Sequence, residues 1–112
     1  MEEGPTIGKI TIDPGVLETI ARLTALAVPG VVRLTPPGGL QRLLKKENGV
    51  EIVIEGDSVR VDLYVVAAAG KNLLVLGRQV QSEVTRAIHD IVGMRVEAVN
   101  VHVEDVAPEP NP

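Results

Sequence analysis

Apolar residues recur along this chain in two rhythms, and the changes of rhythm mark its elements. Residues 7–12, Ile-Gly-Lys-Ile-Thr-Ile, read as a short strand. Asp13-Pro14 then reads as a helix start. An aspartate carboxylate accepts orphan backbone N–H groups there, and proline at the first helical position gives up no hydrogen bond. The helix should run to about Val28, where Pro29-Gly30 stops it. Leu17, Ile20, Ala21, Thr24, Ala27 and Val28 share one stripe at the helical period. Val16, Leu23 and Leu26 widen that stripe well beyond the arc a helix needs to cover one sheet face.

Residues 31–34 add a further short strand, and residues 35–49 form a long irregular connection containing Pro36-Pro37-Gly38-Gly39. Residues 51–55 and 59–67 read as a hairpin with Gly56-Asp57 as its two-residue turn. That register sets Ile54 against Val59 and Ile52 against Val61, on one face with Leu63 and Val65. The other face receives Glu51, Val53, Glu55, Arg60, Asp62 and Tyr64, with Glu51 opposite Asp62. Asn72 caps a second helix over 73–92, closed by Gly93. Its core stripe is narrow: Leu73, Leu76, Gly77, Val80, Val84, Ala87, Ile88 and Ile91. A last strand, 96–103, alternates Val99, Val101 and Val103 with Asn100, His102 and Glu104. The expectation is a single α+β domain over 1–106 with a Pro-rich tail at 107–112. Its order is β-α-(β)-β-β-α-β, with two helices on one face of one sheet, in a ferredoxin-like or split βαβ arrangement.

Composition removes several classes of chemistry. The 112 residues contain no cysteine, so thiol catalysis, disulfides and cysteine-bound zinc are excluded. One tyrosine, with no tryptophan or phenylalanine, leaves no platform for base stacking. The net charge of -4 argues against a sequence-independent grip on nucleic acid. His102 and Glu104 point the same way along a strand, but zinc needs three or four ligands and no third is marked. His89 falls on the polar side of the second helix. Gly70-Lys71-Asn72 lacks the spacing of a phosphate loop, and Ser58 and Ser82 have no marked base. The expectation is therefore no enzyme, no cofactor and no metal. An acidic N-terminus without a signal-peptide layout, and no apolar run of membrane-spanning length, predict a cytoplasmic chain with no direct membrane insertion.

Two features point to contacts instead. Residues 33–46 carry Arg33, Arg42, Lys45 and Lys46 and no acid, a net +4 against -8 for the rest. The wide arc of the first helix needs a cover, either Leu40, Leu43 and Leu44 of the long connection or another chain. Val16, Leu23, Leu26, Arg33, Arg42, Lys45 and Lys46 are thus the candidate interaction surface.

The opening Gly8-Lys9-Ile10-Thr11-Ile12-Asp13-Pro14-Gly15-Val16-Leu17-Glu18-Thr19-Ile20-Ala21 resembles that of the alkaline shock protein family, the envelope stress response proteins. The likeness continues in Val28-Pro29-Gly30-Val31, in residues 59–66, in Gly70-Lys71-Asn72, in residues 80–84 and in residues 96–103, so it spans about 7–106. The resemblance implies a small bacterial protein without enzymatic activity, gathered beneath the cell membrane by a small integral membrane partner and able to self-assemble. It supplies no catalytic residue. The function expected is a cell-envelope scaffold that works through protein–protein contacts as a homo-oligomer. The alternative is an RNA- or anion-binding module using the basic 33–46 loop.

Overall fold

Asp13 Oδ1 accepts the Gly15 N–H at 2.7 Å and starts the first helix, α1 (Pro14–Ala27), in a computed structural model that describes residues 7–38 and 48–108. The remaining elements are β1 (Val31–Leu34), β2 (Val50–Glu55), β3 (Ser58–Ala68), α2 (Leu73–Val92) and β4 (Arg95–Ala107). Asn72 caps α2 through the Val75 N–H. Gly93 ends it in the left-handed conformation, φ 83°, donating to the carbonyls of His89 and Ile88. Both helices therefore begin and end where their caps stand in the sequence. The final strand extends four residues beyond Val103, into what the sequence reading assigns to the tail at Ala107.

β3 is the hub of a mixed four-stranded sheet. β1 and β2 both pair with it antiparallel, at different stretches of its length, while β4 pairs with it in parallel. The hairpin register is the expected one, with Glu55 opposite Ser58, Ile54 opposite Val59 and Ile52 opposite Val61. β1 and β2 behave as one interrupted strand. Tyr64 spans the interruption: its carbonyl accepts the Thr35 N–H, and its N–H donates to the Gly49 carbonyl, each at 2.9 Å. β3, α2 and β4 form a βαβ unit, the helical return that adjacent parallel strands require.

The core lies between the sheet and the two helices. Leu17, Ala21 and Ala25 of α1 meet Val59, Val61, Leu63 and Val65 of β3, with Leu76, Val80, Val84 and Ile88 of α2 alongside. Leu73 and Ile91, expected on the same stripe, are exposed instead, because they lie in the first and last turns of the helix, at the ends of the packed stretch. The fold class is the expected α+β arrangement, two helices packed on one sheet. The expected first strand is not part of it: residues 7–13 belong to no strand. Both flanks of β3 are already taken, so the order observed is α-β-β-β-α-β.

The second face of the sheet is not simply polar. Tyr64 and Val66 are buried there although neither belongs to the core beneath the helices. The chain leaving β1 starts at the pairing of Thr35 with Tyr64 and brings the Gly38 N–H to Glu104 Oε1 on β4, 3.0 Å away. It therefore crosses β3 on the side the helices leave open, and Pro37 within it is fully buried.

Gly49 and Gly56 test this construction. Both have positive φ, 77° and 62°, where a side chain costs about 1 kcal/mol or more. A Cβ at Gly56 would meet nothing within 4 Å, whereas one at Gly49 would lie 2.7 Å from the Thr35 carbonyl. Gly56→Ala should lower the unfolding free energy by about 1 kcal/mol, and Gly49→Ala by clearly more, as measured by urea titration.

Candidate interaction surfaces

A helix lying on a sheet turns its opposite side to solvent, and on α1 that side is aliphatic. Leu17, Ala21 and Ala25 are fully buried. Val16 and Leu23, seven residues apart, fall on the outward side. Leu23 is 59% exposed, and Val16 and Leu26 are exposed as well. Burying such side chains is worth about 1.5–3 kcal/mol each, which a solvated position forgoes. The N-terminal turns of α2 add exposed Leu74 and Val75. Between the two helices lies a groove of about 510 Å³, lined by Thr24, Ala27 and Val28 on one side and Asn72, Val75 and Leu76 on the other. Aliphatic groups line much of it, and Lys71 and Glu83 also border it.

The second face of the sheet holds the polar cluster. Asp62 and Tyr64 are aligned with Asn100 and His102 across the parallel β3–β4 pair. The His102 ring stacks on Tyr64, with centroids 4.5 Å apart and planes 13° from parallel. Its Nε2 lies 2.9 Å from Asp62 Oδ1, while Arg60 Nε stands 3.9 Å from Asp62 Oδ2. Asp62 is thus a mostly buried carboxylate held between a ring nitrogen and a guanidinium. The pairing orients the imidazole and keeps its ring over Tyr64. Among the described residues no group of three or more His, Asp or Glu side chains could hold a metal ion.

The residues singled out from the sequence fall into two sets. Val16, Leu23, Leu26 and Arg33 are all exposed, the first three on α1 and Arg33 on β1 beyond the end of that helix. Arg42, Lys45 and Lys46, with Leu40, Leu43 and Leu44, lie outside the described residues. The connection up to Gly38 approaches the sheet face opposite α1, and among the described residues nothing covers Leu23. His102 and Glu104 do not act together: His102 turns to Asp62, and Glu104 takes the Gly38 N–H. His89 is exposed at the end of α2 beside Asp90. Two features escaped the sequence reading, the Tyr64–His102–Asp62 contact and the exposed Leu74-Val75 pair. The first follows only from the parallel register of two strands separated by a helix. The second was signalled by two apolar residues placed off the stripe of α2.

This arrangement defines a small α+β domain of the ferredoxin-like class whose outer surface carries its distinctive features. Solved structures of the MamM C-terminal domain share the fold. The M250L form aligns over 82% of this chain and 96% of its own, with a TM-score of 0.54 and 15% identity. A zinc form of the H264E variant aligns over 87% of each chain, with a TM-score of 0.52 and 12% identity. The model of the ASP23 family, the alkaline shock proteins, described as having a cell envelope-related function, matches residues 2–108, and the chain belongs to that family. Among its relatives are Spy1535 of Streptococcus pyogenes serotype M6 and YloU of Bacillus subtilis strain 168. Spy1535 is 31% identical over 95% of this chain and 84% of its own. YloU is 28% identical over 88% of each. The family resemblance read from the sequence is thus borne out.

The His102–Asp62 contact should behave as a part-exposed, partner-oriented pair. A double-mutant cycle of Asp62→Ala and His102→Ala, read by urea unfolding at neutral pH, should return a coupling of roughly 0.5–1 kcal/mol. Tyr64→Ala should cost about 3 kcal/mol, because it empties a buried site on the second face of the sheet.

Proposed function

We propose that this protein is a non-enzymatic scaffold of the bacterial cell envelope that acts through protein–protein contacts and self-association. The observation that carries this reading is the aliphatic outer side of α1. Val16, Leu23 and Leu26 stand in solvent on a helix whose inner side is already fully packed, so they add nothing to the core. A monomer commonly carries scattered exposed aliphatics, but a set on one helix beside a groove fits a docking surface. Exposed Leu74 and Val75 extend the surface onto the neighbouring helix. The family's cell envelope-related function supports placing that contact at the envelope.

The protein works in the cytoplasm, at the inner face of the cell membrane, held there by a small integral membrane partner. No helix among the described residues is long and apolar enough to cross a membrane, which is why a partner is invoked. The zinc named for the MamM domain variant is not carried over, since the described residues offer no matching ligand group.

The test is capture of partners from detergent-solubilised membranes of the native host with the full chain as bait. A small integral membrane protein should be recovered by the native chain and lost with Leu23→Glu and Leu26→Glu. Both substitutions are at exposed positions and should change the unfolding free energy by no more than about 0.5 kcal/mol. Equal recovery by native and substituted chains would overturn the assignment of this surface. Recovery of RNA alone, released steeply by salt, would favour the basic-loop alternative.

A further inference from the structure

We propose that residues 7–12 are a strand without a place in their own sheet, and that they add to the free edge of β4 in a second copy of this chain. The segment is built for pairing. It contains three β-branched isoleucines, and Ile10 and Ile12, two apart, fall on one face when extended. Yet it belongs to no strand, and its isoleucines are in solvent: Ile7 is 97% exposed and Ile10 91%, with Ile12 exposed as well. An exposed aliphatic strand and an unpaired sheet edge in one molecule are the two halves of a β-addition contact.

The sheet has two open edges, and they are not equivalent. The edge formed by β1 and β2 is broken where the chain departs at Thr35 and returns at Gly49, leaving pieces of four and six residues. β4 is one strand of 13 residues, irregular in its pairing only at 96–98 and 103–105, and among the described residues it pairs only with β3. Its first half is partly guarded, because Gln81 Nε2 from α2 donates to the Val99 carbonyl at 3.0 Å. The stretch from Val101 to Ala107 is therefore the acceptor. There Val101 and Val103 sit half-buried at the margin of the core, where isoleucines of an added strand would extend the apolar face. Charge agrees: the segment carries Lys9, and this stretch of β4 carries Glu104 and Asp105.

The geometry points to a second copy as the donor. α1 packs over β1 and β2, so the segment preceding it starts on the side of the sheet away from β4. One chain can thus give its strand to a neighbour while receiving another, a head-to-tail contact that closes as a reciprocal dimer or continues as a chain of copies.

This inference rests on the self-association reading and names the contact that would perform it. The absence of cysteine makes it directly testable. A chain carrying Ile10→Cys is mixed with a size-tagged chain carrying Val106→Cys and treated with a short bismaleimide. The comparison chain carries Ile54→Cys, an exposed position on β2. The mixed product is expected with Val106→Cys and only at background with Ile54→Cys. Ile7→Lys with Ile12→Lys should cut its yield roughly tenfold or more, as charge placed on an added strand does, without changing the melting temperature. Predominant capture at Ile54→Cys would overturn the proposal by placing the segment on β2. Association in sedimentation that is unchanged by the two lysines would also overturn it, while leaving self-association through α1 intact. A native chain that stays monomeric at every concentration would defeat both readings.

Discussion

The structure depends on burying one strand on both sides. Among the described strands β3 is the only one that pairs with every other, so it does not lie at an edge, and the middle of its second face is covered as well. Val59, Val61, Leu63 and Val65 turn to the helices and lose essentially all solvent contact. Tyr64 and Val66 turn the other way and are buried too, without a helix above them. The second cover is improvised from the stacked His102 imidazole, the Asp62 carboxylate that holds it and the proline-bearing stretch that leaves β1. Residues far apart in the chain, at 35–38, 62–66 and 102–104, therefore share one task.

That division explains where surface is left for contacts. The inner sides of α1 and α2 are packed against the sheet, so aliphatic residues beyond those stripes stay exposed among the described residues. Val16, Leu23 and Leu26 are in this position on α1, and Leu74 and Val75 at the start of α2. The polar cluster around His102 has the opposite character. Its groups are matched to one another by hydrogen bond, ion pair and stacking, which suits a structural cover better than reactive chemistry. Function in this family is then sought on the surface that remains unmatched.

The local signals in the sequence were strong and the non-local ones weak. Asp13, Pro14, Asn72 and Gly93 locate the helix ends because capping is decided within a few residues. Gly56-Asp57 locates the hairpin register for the same reason, and the outward position of Leu23 follows from helical period alone. The sequence reading failed where the answer depended on a distant partner. Residues 7–12 have strand character, but whether a strand forms is settled by an available edge, and β4 takes the place beside β3. The burial of Tyr64 was hidden similarly. Alternation assigns it to the solvent face, and only the parallel pairing with β4 and the crossing at Gly38 show that this part of the face is covered.

A rigid core centred on β3, with the aliphatic segments outside it proposed to serve association, has a direct signature in amide hydrogen exchange. The full chain would be followed residue by residue over a wide range of protein concentration. The β3 amides should exchange slowest, at rates independent of concentration, because they open only with global unfolding. The amides of residues 7–12 should exchange freely in dilute solution and gain protection as concentration rises. Free exchange of that segment at every concentration, or β3 amides exchanging faster than those at the sheet edges, would contradict the account.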